Sequence, residues 1–285
     1  MPVAVLCRDF GVWLDSERKL EVASQFDTAA RAYEASATVI PIREYIEAPS
    51  IRALCGDVHG KLALDLGCGT GLYTRRLAQW GAKQVIGADI AEGMLTQARV
   101  IEAADPLGIT YLNRDLTEPC RCDAEYAHLS GQIDLVLAVY VLCYATTVEN
   151  LEAMCRSAKQ DLKPGGVFLA PTLNSGYADE SEHPGYYADY YAAYGFGMSA
   201  VTPPAQEGAT VTLSMWFPDG SGVDPVALDA VWWSQDTYER ALRTAGFTSI
   251  TWHRMEVSPE GVQAFPAPYW DRYLARPHAL VVEAR

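Results

Sequence analysis

The chain is expected to fold as a doubly wound α/β domain. Its sheet should have seven strands, the last antiparallel, with helices ahead of it and an α+β cap inserted into it. Three observations predict this. Between Lys61 and Ala170 short apolar runs alternate with amphipathic stretches of helical spacing, the rhythm of strands that return through helices. Past Pro171 the rhythm gives way to a stretch rich in Tyr, Gly and Pro, and after Trp233 it resumes. Hydrophobic residues make up 49% and charged residues 20% of the 285, ordinary globular usage that can bury a sizeable core.

The elements follow in order. Ser24-Gln25-Phe26-Asp27 has the character of a helix cap, and Phe26, Ala29, Ala30 and Tyr33 recur at helical spacing. An N-terminal helix, a break near Pro41 and a second helix reaching Leu54 make residues 1–60 a helical lid segment. Strands are expected at Leu62–Leu66, Gln84–Ala88, Thr110–Asn113, Ile133–Val139 and Gly166–Ala170, with helices at Tyr73–Trp80, Gly93–Ala104 and Val148–Leu162; residues 61–173 are the ligand-binding core. Residues 174–233 form the cap, with strands at Thr210–Phe217 and Val226–Trp233 joined by the turn Pro218-Asp219-Gly220-Ser221-Gly222. Residues 234–285 return to the core through a helix at Gln235–Ala245, stopped by Gly246, and strands at Thr248–Glu256 and Ala279–Ala284. The connection between those two strands holds Pro259, Pro266, Pro268 and Pro277 and leaves room only for a short helix at Pro268–Leu274, so the final pair should be antiparallel.

Charge narrows the function. Lys and Arg number 22 against 36 Asp and Glu, a balance of −14, and no basic cluster could neutralise successive phosphates. A nucleic-acid partner and an anionic membrane surface are therefore not expected. The opening Met1–Cys7 is cut short by Arg8 and Asp9, and no run of about 18 apolar residues exists. A cytoplasmic protein follows as the expectation. Seven scattered cysteines suit a reducing compartment, and the pair Cys120-Arg121-Cys122 lacks the further ligands a metal would need, so no metal is expected.

Leu62–Leu66 runs straight into Gly67-Cys68-Gly69-Thr70-Gly71, and a helix follows at once. Glycines let a backbone turn tightly and approach a ligand, and the helix start offers unpaired N–H groups, so a nucleoside-bearing ligand fits. A dinucleotide fingerprint would need glycine at position 72, where Leu72 stands, and Asp65 has no part in holding a pyrophosphate. Asp65-Leu66-Gly67-Cys68-Gly69-Thr70-Gly71 instead resembles the first motif of the class I S-adenosylmethionine (SAM)-dependent methyltransferases, a Rossmann-like family.

The resemblance extends along the chain. Val85–Ile90 looks like that family's second strand, whose terminal acid binds both ribose hydroxyls; Asp89 lies 22 residues past Gly67. Asn113-Arg114-Asp115-Leu116 resembles the segment that meets the adenine, Ile133–Tyr140 the fourth strand beside the methionine end, and Leu162–Val167 the turn before strand five. The resemblance implies SAM as cofactor, S-adenosylhomocysteine (SAH) as product, and cofactor contacts from Asp65, Gly67, Cys68, Gly69, Gly71, Asp89, Ile90, Met94, Asp115, Leu116 and Ala138. Cys68 reads as backbone filler rather than as a reactive thiol.

Ahead of the motif, Phe26-Asp27 with Tyr33 resembles the covering helix of small-molecule methyltransferases, so Tyr33, Arg43 and Tyr45 are candidates for the methionine end of SAM, with plain packing the alternative. Ser24–Pro49 and Trp252–Gly261 are most similar to bacterial methyltransferases of secondary metabolism that N-methylate toxoflavin-type heterocycles. Methyl transfer to a small aromatic or heterocyclic acceptor, at nitrogen, carbon or oxygen, is the function implied. The acceptor pocket is expected from the cap, at Asn174, Tyr177, Phe196 and Trp232, although these rings could equally make the cap's own core or a contact in a homo-oligomer. Tyr140 is a candidate to orient the acceptor and His183 or His253 to take its proton. The rival readings are an NAD(P)-dependent oxidoreductase and a non-catalytic SAM-binding protein.

Overall fold

The computed structural model describes residues 24–26, 34, 36, 39–118, 124–177, 194–198, 206–217 and 223–285. Tyr33, His183 and the turn Pro218–Gly222 lie outside them, as does the side chain of Tyr177.

A π-helical turn, Arg43–Glu47, runs directly into α1, Ala48–Cys55. Widened turns of this kind are rare and concentrate at functional sites. β1 (Leu62–Leu66), α2 (Leu72–Gln79), β2 (Gln84–Asp89), α3 (Glu92–Ala104) and β3 (Thr110–Asn113) then alternate. The short helix α4 (Ala124–Ala127), β4 (Ile133–Leu137), α5 (Val148–Asp161) and β5 (Leu162–Leu173) follow. The cap contributes β6 (Phe196–Met198), β7 (Thr210–Met215) and β8 (Val226–Val231); α6 (Gln235–Thr244), β9 (Ile250–His253), α7 (Pro259–Ala264), α8 (Asp271–Ala275) and β10 (Ala279–Ala284) close the chain.

The main sheet has the order β3-β2-β1-β4-β5-β10-β9. β1 pairs in parallel with both β2 and β4, so the chain winds outward from β1 and then reverses, which opens a crevice beyond the carboxyl ends of β1 and β4. β10 is antiparallel to β5 and to β9, as the proline-rich final connection implied.

Several elements depart from the sequence reading, β9 and the cap strands being shorter than expected, and three departures have identifiable reasons. β5 continues to Leu173, past the expected end at Ala170, because β10 supplies a ladder partner for each residue from Phe168 to Leu173. β4 stops at Leu137 because Tyr140 adopts φ 54° and the chain turns into the 3-10 segment Leu142–Tyr144. α7 forms in a connection expected to hold only one helix: Pro259 sits at its first turn, where a missing N–H costs nothing, and the Ser258 side chain accepts from Gly261 N.

The core lies on both faces of the main sheet. Leu64, Leu66, Phe168 and Tyr238 pack on one face, while Ala63, Leu137 and Leu169 meet Ile40, Ile42 and Ile46 of the N-terminal segment on the other. The cap's antiparallel sheet, order β6-β7-β8, joins that second face through Val211, Leu213 and Leu228. N-terminal segment, sheet and cap thus converge at one place.

Candidate active site

The crevice beyond the ends of β1 to β4 holds a cavity to which each strand contributes. Gly67 and Gly69 come from the loop after β1, Asp89, Ile90 and Met94 from the end of β2 and the start of α3, Asp115 and Leu116 from the end of β3, and Val139, Tyr140 and Val141 from beyond β4. Phe26 and Tyr144, which meet edge to face at 4.9 Å between centroids, close one side. The lining is apolar apart from a few polar groups, the usual make-up of a small-molecule site.

Asp89 organises the loop. Its Oδ2 accepts from Gly69 N at 2.7 Å and its Oδ1 from Ala91 N at 2.8 Å, so the carboxylate ties the glycine turn to the start of α3. Asp115 Oδ1 accepts from Thr117 N at 2.8 Å and from its hydroxyl at 2.6 Å. Arg114 between them turns inward: it donates to Asp161 Oδ2 at 2.7 Å and to Ser157 Oγ at 2.6 Å, and lies over the Tyr126 ring.

Asp65, Cys68, Gly71 and Ala138, expected at the cofactor, form the layer beneath this surface instead of its lining. Ala138 hands its N–H to Leu169 O at 2.9 Å, Gly71 caps α2 at φ 89°, and Cys68 is buried, its thiol pushed well up by burial. Asp65 Oδ2 accepts from Thr74 Oγ1 at 2.7 Å. Burial pushes its carboxyl up to about 7, the charge of Asp89 adds to the rise, and the Thr74 hydrogen bonds oppose it.

The sign of that shift sets a pH dependence. Between the ordinary value of 3.8 and about 7 the folded protein binds more protons at Asp65 than the unfolded chain, so stability falls as pH rises through this window. Asp65→Asn should remove that slope, so that its stability relative to wild type improves by roughly 2–4 kcal/mol between about pH 4 and about pH 8. Urea midpoints of both proteins at the two pH values test this. His278, whose depressed imidazole gives the opposite slope, is common to both proteins and drops out of the comparison. Parallel pH profiles would sink the assignment.

A second cavity adjoins the first and shares Tyr140 and Tyr144 with it. It is walled by Ile40, Ile42, Leu173 and Phe196 together with Leu213, Met215 and Leu228 of the cap, and its polar groups are Arg43, Glu47, Tyr140 and His278. His278 Nε2 lies 3.0 Å from Tyr140 Oη and its Nδ1 lies 3.0 Å from Tyr273 Oη. Arg43 donates to Ser36 Oγ, and its Nε stands 3.6 Å from Glu47 Oε2.

The other expected residues divide. Phe196 lines the second cavity, 4.6 Å from the His278 ring. Arg43 faces the second cavity rather than the first. Tyr45 lines neither, because its ring packs against Phe265 and Trp270 at 5.8 and 6.5 Å. His253 is also away from both cavities: β9 and β10 place its Nε2 3.0 Å from Glu283 Oε2, a cross-strand pair. Asn174 bonds to Pro277 O at 2.9 Å and Trp232 Nε1 to Ser175 O at 3.3 Å, so both brace the junction of cap and core. Sequence reading passed over Glu47 and His278. The trace each leaves is slight: an i,i+4 Arg43/Glu47 pair on an otherwise apolar helical face, and a histidine between Pro277 and the last strand.

Residues 63–166 match the family model described as a methyltransferase domain. The chain is 33% identical over 172 residues to malonyl-[acyl-carrier protein] O-methyltransferase of Serratia marcescens, covering 58% of this chain and 58% of that protein. It is 32% identical over 159 residues to ubiquinone biosynthesis O-methyltransferase of Azoarcus sp. (strain BH72), covering 55% and 64%. The chain thus spans less than two thirds of the length of these curated relatives. The crystal structure of an S-adenosylmethionine dependent methyltransferase from Mesorhizobium loti superposes with a TM-score of 0.56 at 25% identity, covering 84% of this chain and 97% of the other. Residues 63–166 thus carry a methyltransferase domain, and the fold built on the seven-stranded sheet is that of SAM-dependent methyltransferases.

Proposed function

We propose that this protein transfers a methyl group from SAM to a small aromatic or heterocyclic acceptor, of the kind handled in secondary metabolism. The observation that carries the reading is the pair of cavities meeting at Tyr140: one set among glycines and two carboxylates, the other apolar and roofed by the cap. The first suits an adenosyl ligand. Asp89 presents two oxygens near the glycine turn, as a ribose diol needs, and Ile90, Met94 and Leu116 offer apolar surface for a base. Asp65, Cys68, Gly71 and Ala138 support that surface from below, while Tyr140 and Phe196 face the acceptor. In this reading residues 61–173 and 234–285 make the catalytic core, residues 1–60 cover the cofactor, and residues 174–233 choose the acceptor.

Bound SAM supplies an electrophilic methyl on a sulfonium. The chain's own work is to set donor and acceptor in line across Tyr140 and Tyr144 and to keep water out with Phe26 and the cap, which can account for much of the rate when charge is neutralised in the reaction. Isothermal calorimetry should show SAH binding and no comparable binding of NAD. Asp89→Ala should weaken SAH by about 1.5–3 kcal/mol, through loss of charge-assisted hydrogen bonds. Preferential NAD binding, or unchanged SAH affinity in a folded Asp89→Ala protein, would count against the reading. A screen of small aromatic acceptors with radiolabelled SAM identifies what is methylated.

A further inference from the structure

In an apolar wall a carboxylate is costly unless donors meet its oxygens. The second cavity is walled largely by Ile42, Leu213 and Leu228, yet it includes Glu47, which is 2% exposed. Among the described residues no group donates a hydrogen bond to Glu47 Oε2, and Arg43 Nε, at 3.6 Å, is beyond hydrogen-bond reach. Burial holds this carboxyl above the usual carboxylate range, and the charge of Arg43, the Tyr140 hydroxyl and the charge of Arg76 oppose the rise.

His278 stands 3.9 Å from its Oε1 but carries no charge, because burial holds the imidazole down to about 3. A neutral imidazole has one N–H and one lone pair, so of the hydroxyls of Tyr140 and Tyr273 one donates to the ring and the other accepts from it. The ring is filled by those two contacts. Among the described residues one carboxylate oxygen therefore remains without a donor, in a cavity of about 50 Å³, several times the room one water needs, next to the wall shared with the first cavity.

We propose that Glu47 is the group that receives the acceptor's donor hydrogen. A small, mostly apolar acceptor enters the second cavity with an O–H or N–H pointing at Oε2. As the new bond from that oxygen or nitrogen to the methyl carbon forms and the carbon–sulfur bond of the sulfonium breaks, the electron pair returns to sulfur and the proton passes to the Glu47 carboxylate. Burial raises the proton affinity of Glu47, with Arg43 opposing, which makes it a stronger base than an exposed carboxylate. Arg43, Tyr140 and His278 are positioning residues. This assignment rests on the methyl-transfer reading above.

The test uses SAH-loaded wild-type protein and its Glu47→Gln variant, titrated by calorimetry with 1-naphthol and 1-naphthylamine and with their O- and N,N-methylated counterparts, which lack the donor. Wild type should prefer each donor over its capped partner by about tenfold or more, and the variant should lose most of that preference. On acceptors found by the radiolabel screen, kcat of the variant should fall by about 10²–10⁴ with SAH affinity unchanged. Equal preferences in both proteins, no probe binding to the SAH-loaded wild type, or methylation at an atom carrying no hydrogen would each overturn the proposal. Should Glu47→Gln fail to fold, Leu213→Trp, which fills the cavity from the cap, should abolish probe binding and spare SAH; retained probe binding would overturn it equally. If SAH itself fails to bind wild type, the cofactor reading falls and not this one alone.

Discussion

Replacing Gly67 by valine is expected to abolish SAH binding and to destabilise the protein by about 2–5 kcal/mol, adding the cost of a left-handed backbone to that of overpacking. Gly67 has φ 63°, a conformation β-branched residues rarely tolerate, and it is the residue at which β1 turns into the loop. A Cβ there would stand 2.4 Å from Val141 Cγ2 and 3.1 Å from Val141 Cγ1, and Val141 lines the first cavity beside Gly67. Relief would push one wall into the space the ligand needs. Gly108→Val is the matched control, since φ there is 77° with nothing within 4 Å of the added Cβ. It should show the backbone cost alone. Urea denaturation and SAH calorimetry on both variants decide; wild-type stability and affinity in Gly67→Val would refute the account.

Arg114→Met should cost about 3–5 kcal/mol, because it strands a buried charge. Asp161 is 0% exposed and receives Arg114 Nη1 at 2.7 Å; without that partner, among the described residues, the Ser130 hydroxyl at 3.2 Å remains on its other oxygen. The same arginine donates its backbone N–H to Asp89 O at 2.8 Å and borders the first cavity, so under the proposed function lower SAH affinity should accompany the lost stability. Adding Asp161→Leu should restore much of the stability, since removing both charges avoids leaving one alone. A loss below about 1 kcal/mol in the single variant, or no recovery in the double, would mean that Asp161 is accommodated some other way.

How much of this was legible in the sequence depends on the range over which each feature is determined. β1, β3 and β10 were bounded to the residue because apolar runs ending in turn residues are local signals. The glycine loop is a local signal, the acids after it follow from the family resemblance that the loop opens, and Gly67, Gly69, Asp89, Ile90, Met94, Asp115, Leu116 and Tyr140 do meet in one cavity. Features made by two distant segments were not legible. Glu47 and His278 are 231 positions apart and meet only once β10 lies beside β5. Tyr45 and His253 misled because their types suit chemistry, while the partners that occupy them, Phe265 with Trp270 and Glu283, come from elements placed by the fold. β6 escaped notice because three residues give too little alternation to read.

Among the described residues Tyr140 is the one non-glycine with φ in the left-handed region. Such a conformation costs on the order of 1–3 kcal/mol and persists only where its surroundings hold it. Here they do so on two sides: its N–H binds Pro171 O at 2.8 Å and its hydroxyl meets His278. Because this one ring is part of both cavities, any shift in it that favours one ligand alters the space offered to the other. If the two cavities take the proposed cofactor and acceptor, their occupancy is coupled through this ring, and linkage requires the coupling to be reciprocal: whatever factor the cofactor applies to acceptor affinity, the acceptor applies to cofactor affinity.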